Sequence, residues 1–129
     1  MIKKQDGFTL MELMITVVIL GVLASFAIPS YMSYATESNR SDAHVALVRM
    51  ADLQERWYTL QKTYAQQADL ASVGGSTTEH DYYTISITAA DVNGYTLQAV
   101  AKGSQVNDTP CVTITLNSAR QKLPAVCWE

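Results

Sequence analysis

The sequence is poor in charge and in cysteine. Charged residues make up 16% of its 129 positions, against about 25% in an average soluble domain. Two cysteines are too few for a disulfide-rich scaffold or a four-cysteine zinc site. The net charge of −3 disfavours a protein whose main function is to hold nucleic acid by charge. The length predicts a single domain.

Motifs of catalysis are also missing. The sequence has no nucleophile elbow, phosphate-binding loop, zinc-protease helix motif or dinucleotide fingerprint. His44 and His80 are far apart and lack metal-ligand spacing. We expect His44 to be a solvated helix residue and His80 a loop residue. The scattered acids do not form a calcium-loop pattern, so we expect no catalytic residue, no metal and no cofactor.

The sequence does contain one long apolar run. Residues 13–36 carry no charged side chain, and as a helix they would reach roughly 36 Å, enough to cross a hydrocarbon core of about 30 Å. Lys3 and Lys4 precede the run and predict a cytoplasmic N-terminus, and Tyr31 and Tyr34 suit the opposite interface. No cleavage site of small residues follows, which favours a retained single-pass anchor over a secretory signal.

One acidic side chain, Glu12, lies at the edge of this run, where a charge is costly without a partner. It belongs to the segment GFTLMELMITVVILGVLASFAIPSY, residues 7–31. This segment closely resembles the N-terminus of type IV pilins and of the related pseudopilins. The resemblance implies that a prepilin peptidase cuts between Gly7 and Phe8, and that Phe8 becomes the N-methylated first residue.

The resemblance also assigns Glu12 a role in assembly. The amine of Phe8 keeps its positive charge after methylation, and the amine of a neighbouring subunit is expected to pair with Glu12. The alternative is that Glu12 only stabilises the N-terminus of its own helix. Gly21 and Pro29 are expected to weaken and kink the helix, so that it can lose structure in a fibre; simple kinks, which membrane helices tolerate, are the alternative.

The remainder of the chain predicts an α+β fold. Apolar residues continue at steps of three or four, so we expect one helix from about Phe8 to about Lys62. The polar residues 38–42 are expected to be a weak point of that helix, and residues 63–81 a surface connection. The apolar stripe consists of Ala43, Leu47, Met50, Leu53, Trp57, Leu60 and Tyr64.

Alternating β-branched and aromatic residues predict strands at residues 82–88, 95–101, 111–116 and 120–123. Residues 91–94 are expected to form a hairpin turn in which Gly94 takes positive φ. The result would be a three- or four-stranded antiparallel meander that covers the amphipathic half of the helix. Asp52 and Arg56, four residues apart on the helix, are expected to pair.

Cys111 and Cys127 are expected to form a disulfide. The compartment outside the cytoplasm is oxidising, and no third cysteine competes. A C-terminal loop closed by a disulfide is familiar in pilins, where it is often displayed on the surface. The C-terminal third of the sequence most resembles the PilE-like group of pilins.

These inferences predict three regions: a leader at residues 1–7, a transmembrane and assembly helix at residues 8–36, and a periplasmic or extracellular globular domain at residues 37–129. The resemblance implies a structural subunit of a type IV pilus. Such a subunit lies in inner-membrane lipid until an inner-membrane assembly platform extracts it. It then polymerises with other pilin subunits into an extracellular filament that serves adhesion, twitching motility or DNA uptake.

Two alternatives remain. One is a pseudopilin of a type II secretion system, which shares the N-terminal motif; the disulfide loop and the missing C-terminal calcium site favour a true pilin. The other is a minor pilin that binds DNA or a surface. Removal of the leader takes two of 9 basic and one of 12 acidic side chains, which leaves a net charge of −4. The patch of Arg120 and Lys122 near Trp128 is small, so charge disfavours DNA binding.

Overall fold

The computed structural model describes residues 7–129. Helix α1, Leu10–Gln61, continues without interruption through Gly21 and Pro29, which confirms the predicted long helix. The boundary between two units of the chain falls within this helix, between Ala35 and Thr36. Lys62 ends the helix with a φ of 60°. The expected leader, residues 1–7, lies almost wholly outside the described residues.

The N-terminal part of helix α1 exposes its apolar side chains. An 18-residue window of the helix has a mean hydropathy of 2.3, and none of it is buried. By length and composition, this helix can cross a membrane. Leu10, Leu20 and Phe26 are all more than half exposed. The segment therefore needs an apolar environment outside its own chain.

The C-terminal part of the chain contains a four-stranded antiparallel sheet in the order β1-β2-β3-β4. This confirms the predicted meander. The register of β1 on β2 shifts at a bulge between Ile87 and Ala89. The strands are β1 Tyr83–Ala90, β2 Tyr95–Ala101, β3 Thr113–Asn117 and β4 Lys122–Leu123.

The turn between β1 and β2 needs a glycine for a different reason from the one predicted. Gly94 does not have positive φ. A Cβ at this position would instead lie 2.5 Å from Oγ of Ser118, so the close approach of the next turn requires glycine. Asp91 shapes the turn because its carboxylate accepts hydrogen bonds from the amides of Asn93 and Gly94.

The core lies between helix α1 and one face of the sheet. Every buried residue of the described chain falls between Asp42 and Cys127, so residues 36–129 contain a complete core. Most of the predicted stripe packs into it, but Leu60, in the last turn of the helix, is 79% exposed. Buried apolar residues of the core include Ala43, Leu47, Ile85, Leu97, Ile114 and Leu116.

Residues 63–81 are more than a surface connection. They contain a 3₁₀ helix, Gln67–Val73, that buries Leu70 and Val73 against the core. The fully buried amide of Gln54 joins this segment to helix α1, since it donates to the carbonyl oxygen of Ala65 and accepts from its amide, at 2.9 and 2.8 Å. The polar composition of the segment concealed these few apolar anchors.

Both outer edges of the sheet are protected. Along β1, the amides of Ile85 and Ile87 donate to the carbonyl of Ser76 and to the side-chain oxygen of Gln67, at 2.8 and 2.7 Å. At the other edge, β4 has two residues and is followed by Pro124, which lacks an amide hydrogen. Neither edge offers a free ladder of backbone groups to another strand.

Candidate functional site

The expected processing site precedes helix α1. Gly7 and Phe8 lie outside the helix, and the side chain of Phe8 is 89% exposed. The peptide bond between them is therefore in irregular, exposed backbone. A peptidase can reach such a bond more readily than one inside a helix.

Glu12 caps the helix to which it belongs. One of its carboxylate oxygens accepts hydrogen bonds from the amide and the hydroxyl of Thr9, each at 2.9 Å. The hydroxyl of Thr9 in turn accepts from the amide of Glu12 at 3.2 Å. This reciprocal pair is a capping box. The local role considered for Glu12 is thus present within one chain, and pairing with another subunit stays a prediction.

The polar residues 38–42 attach helix α1 to the loop after β2, where a weak point had been expected. Arg40 forms two hydrogen bonds to the buried carboxylate of Asp108, at 2.7 and 2.8 Å. Gln105 adds a bond to Asp108 and another to the hydroxyl of Tyr83, each at 3.1 Å. The carboxylate of Asp108 raises the pKa of Arg40. These contacts were not predicted because Asp108 lies 68 residues along the chain from Arg40.

A second polar contact involves Asp42. Its side chain is buried, and one oxygen accepts from the amide of His80 and lies 3.1 Å from the ring nitrogen Nδ1. Burial opposes ionisation of Asp42, but hydrogen bonds from Thr78 and His80 outweigh it and lower its pKa. His80 lies in a loop, as expected.

The disulfide between Cys111 and Cys127 is present, which confirms the predicted pairing. It brings the C-terminal tail back to helix α1, where the carbonyl oxygen of Cys127 lies 2.6 Å from Nε2 of His44. The next residue, Trp128, stacks on the His44 ring with centroids 4.5 Å apart and an angle of 9° between the planes. His44 is therefore a half-buried packing residue rather than a solvated one.

Beside this stack is a groove of about 730 Å³ between helix α1 and the tail, which we call the basic groove. Arg49 and Arg56 lie on its helix side, and Lys122 of β4 lies over the ring of Trp128, 4.9 Å from the ring centroid. Its lining residues are His44, Val45, Val48, Arg49, Asp52, Leu53, Arg56, Lys122 and Trp128.

Arg120 lies next to the same groove, because it contacts the lining residue Asp52. Its guanidinium lies 3.7 Å from the carboxylate of Asp52, so the partner of Asp52 is Arg120 and not the predicted Arg56. Of the 7 basic side chains that remain after two of 9 leave with the leader, four gather here: Arg49, Arg56, Arg120 and Lys122. Charge that is sparse in the sequence is thus concentrated on one surface.

The sequence did contain a signal for this groove. Arg49 and Arg56 are seven residues apart, and therefore lie on the same helix face two turns from each other. Their association with Arg120, Lys122 and Trp128 depends on the fold of the tail. Burial lowers the pKa of His44, and the charges of Lys122 and Arg40 act in the same direction, against the hydrogen bond to the Cys127 carbonyl, which raises it. Between Gly7 and Glu129, no group of three histidine, cysteine or acidic side chains is placed to hold a metal ion.

Two family models match the chain. Residues 29–115 match the family described as type IV minor pilin ComP, DNA uptake sequence receptor. Residues 2–28 match the prokaryotic N-terminal methylation motif. Together, the two matches cover the apolar run, most of the sheet and the segments between them.

Curated relatives are fimbrial proteins and pilins. The chain is 34% identical over 113 residues to the fimbrial protein EcpC of Eikenella corrodens, with 81% of this chain and 72% of the relative covered. It is 30% identical over 113 residues to the type IV major pilin protein PilA of Myxococcus xanthus, with 85% and 49% covered. The chain thus spans about half the length of PilA.

Solved structures share the fold. A type IV pilin from Shewanella oneidensis matches with a TM-score of 0.55 and 32% identity, over 73% of this chain and 98% of that one. The minor pilin PilV of Neisseria meningitidis matches with a TM-score of 0.56 and 21% identity, over 70% and 86%; at that identity, only the fold is comparable. Since one family model matches most of the globular part and another matches the start of the helix, the chain belongs to the type IV pilin family.

Proposed function

We propose that this pilin is a minor subunit that joins a type IV filament and binds DNA for uptake. As a type IV pilin, it is a structural subunit. The description of the matching family supports the DNA-uptake role, and the basic groove supports it independently. We favour a pilus over a secretion pseudopilus because the relatives reported above are named as fimbrial proteins or pilins.

The proposed path to the filament follows from helix α1. Before assembly, its apolar segment lies in the inner membrane with Lys3 and Lys4 on the cytoplasmic side. A prepilin peptidase cuts between Gly7 and Phe8, and Phe8 is methylated. The assembly platform then moves the helix from lipid to neighbouring helices, which replace lipid around side chains that the isolated chain leaves exposed. Local loss of helix between Gly21 and Pro29 would allow such a fibre to stretch.

The observation that carries the DNA proposal is the concentration of cations in the basic groove. Two of the chain's other cations are engaged, because Arg40 pairs with Asp108 and Lys102 with Asp81. The four cations at the groove have only Asp52 as an acidic lining residue. The net charge of −4 is therefore a poor guide to the local field, which decides where a polyanion binds.

The aromatic ring of the groove favours a duplex over a single strand. Proteins that bind single strands present free aromatic faces on which bases stack. The ring of Trp128 is already stacked on His44 and covered by Lys122. The exposed guanidinium and ammonium groups suit phosphates instead, and these contacts position a duplex without unstacking its bases.

Binding to a labelled duplex tests the proposal. With the fragment of residues 36–129, which contains the whole core, we expect affinity to fall with salt at a log–log slope of about −3.6 when four phosphates are neutralised. Arg49→Gln together with Arg56→Gln should weaken binding about tenfold or more and make the slope shallower by about 2.

The matched control is Lys62→Gln, which removes an exposed cation outside the groove. Its affinity should be close to that of the unaltered fragment. Undetectable binding at low salt would refute the DNA proposal, as would equal losses in the control and in the groove variant. Duplexes of equal length and different sequence would then show whether bases are read in addition to phosphates.

A further inference from the structure

His44 lines the basic groove and would be its fifth cation if its ring were protonated. It lines the groove, stacks on Trp128 and faces the tail, not bulk solvent. Its Nε2 is 2.6 Å from the carbonyl oxygen of Cys127, and because a carbonyl only accepts, Nε2 carries the hydrogen. A further proton would therefore enter at Nδ1, without loss of the bond that holds the tail.

The charges around this ring oppose protonation in the unbound protein. Helix α1 contributes Arg40 and Arg49, and β4 contributes Lys122. Asp52, two turns further along the helix, is the acidic residue of the lining and faces Arg120. The tail contributes the neutral ring of Trp128, the exposed Glu129 after it, and the Cys127 carbonyl, whose hydrogen bond acts in the opposite direction and raises the pKa of His44. Burial and two of these cations, Lys122 and Arg40, already lower the pKa of His44.

We propose that His44 takes up a proton when DNA occupies the basic groove, so that the affinity for DNA increases as the pH falls. This inference rests on the proposed function. Phosphates bound at Arg49 and Lys122 would offset the charges that disfavour a protonated ring, and the imidazolium would then add its own attraction. Of the two histidines, only His44 lines the groove, since His80 pairs with Asp42 in a different region.

The test is duplex binding by the fragment of residues 36–129 at about pH 7.5 and about pH 5.5, at constant ionic strength. We expect the unaltered fragment to bind roughly three- to tenfold more tightly at the lower pH, since a histidine titrates in this interval. His44→Gln can still donate to the Cys127 carbonyl but stays neutral, so its two affinities should be nearly equal. His80→Gln is the matched control and should keep the full pH effect.

Calorimetry in two buffers of different ionisation enthalpy gives a second measurement. Near pH 6, binding should take up a fraction of one proton in the unaltered fragment and in His80→Gln, and close to none in His44→Gln. Binding without pH dependence, or a pH effect that survives in His44→Gln, would overturn the role of His44 and leave the DNA proposal standing. Absence of binding at both pH values would overturn both.

Discussion

At the scale of single residues, the ion pair of Arg40 and Asp108 is the contact whose loss is expected to cost the most stability. The Asp108 side chain is 5% exposed and that of Arg40 16%, so little water would replace either partner. When one partner of such a buried pair is lost, the remaining charge stays buried without compensation. The pair joins helix α1 to the loop after β2, and its strength therefore sets how firmly that loop is held.

We predict that Arg40→Ala destabilises the fragment of residues 36–129 by about 3 kcal/mol. The carboxylate of Asp108 would then be left with the hydrogen bond from the side chain of Gln105. The control is Lys102→Ala, which removes an exposed ion pair to Asp81 and should cost less than about 1 kcal/mol. Urea unfolding curves measure both changes, and small, equal losses would show that the buried pair contributes no more than the exposed one.

At the scale of elements, the C-terminal tail is important because it brings Cys127 and Trp128 to helix α1. The disulfide holds Cys127 and Trp128 against His44, and β4 places Lys122 beside them. One wall of the basic groove is therefore made by a tail with little regular structure, held by a covalent bond, a hydrogen bond and a ring stack. Loss of the disulfide should therefore disturb the groove more than it disturbs the sheet.

We predict that Cys111→Ser together with Cys127→Ser lowers the free energy of unfolding by about 3 kcal/mol, as expected for a closed loop of this length. The double variant leaves no unpaired thiol. Thermal melting followed by circular dichroism measures the loss, with the unaltered fragment in reductant as the control. An unchanged melting curve would mean that the disulfide contributes no stability.

The elements were predictable to different degrees. Helix α1 and strand β2 follow from local periodicity, and their predicted bounds agree with the structure to within a few residues. The burial of Leu70 and Val73 was missed because two apolar residues in a polar segment make no pattern. The position of His44 was missed because its partners, Cys127 and Trp128, reach it only through the disulfide. Contacts between distant residues, on which the groove depends, leave little periodic signal.

At the scale of the whole molecule, the chain combines a part with its own core and a part without one. Residues 36–129 bury their apolar side chains internally, whereas residues 10–34 expose theirs. The second part needs lipid or other helices around it. Both surroundings are apolar, so in the proposed filament the register between subunits would depend on polar groups such as Glu12, which lies in the first turn of helix α1.

We predict that Glu12→Ala is inserted and processed but yields few filaments, because the carboxylate is needed by the Phe8 amine of a neighbour. The capping box offers a control: Thr9→Ala removes the hydroxyl that bonds both the carboxylate and the amide of Glu12, whereas the backbone hydrogen bond from residue 9 and the carboxylate itself are kept. Thr9→Ala should therefore assemble far better than Glu12→Ala.

Sheared filament yield and mass spectrometry measure this prediction. The processed chain of both variants should begin at N-methyl-Phe8. If the two variants lose filaments equally, Glu12 acts only as a cap of its own helix. If the isolated protein still begins at Met1, the proposed processing is wrong.

The protected sheet edges should keep copies of the chain from aggregating when they are crowded together. On the proposed path, this pilin is concentrated in a bilayer and then packed side by side in a fibre, conditions under which exposed strands tend to join into cross-β aggregates. Here the backbone of β1 is occupied by Ser76 and Gln67, and β4 stops at Pro124. Copies of this chain could therefore be brought to high density with strand addition blocked at both edges of the sheet.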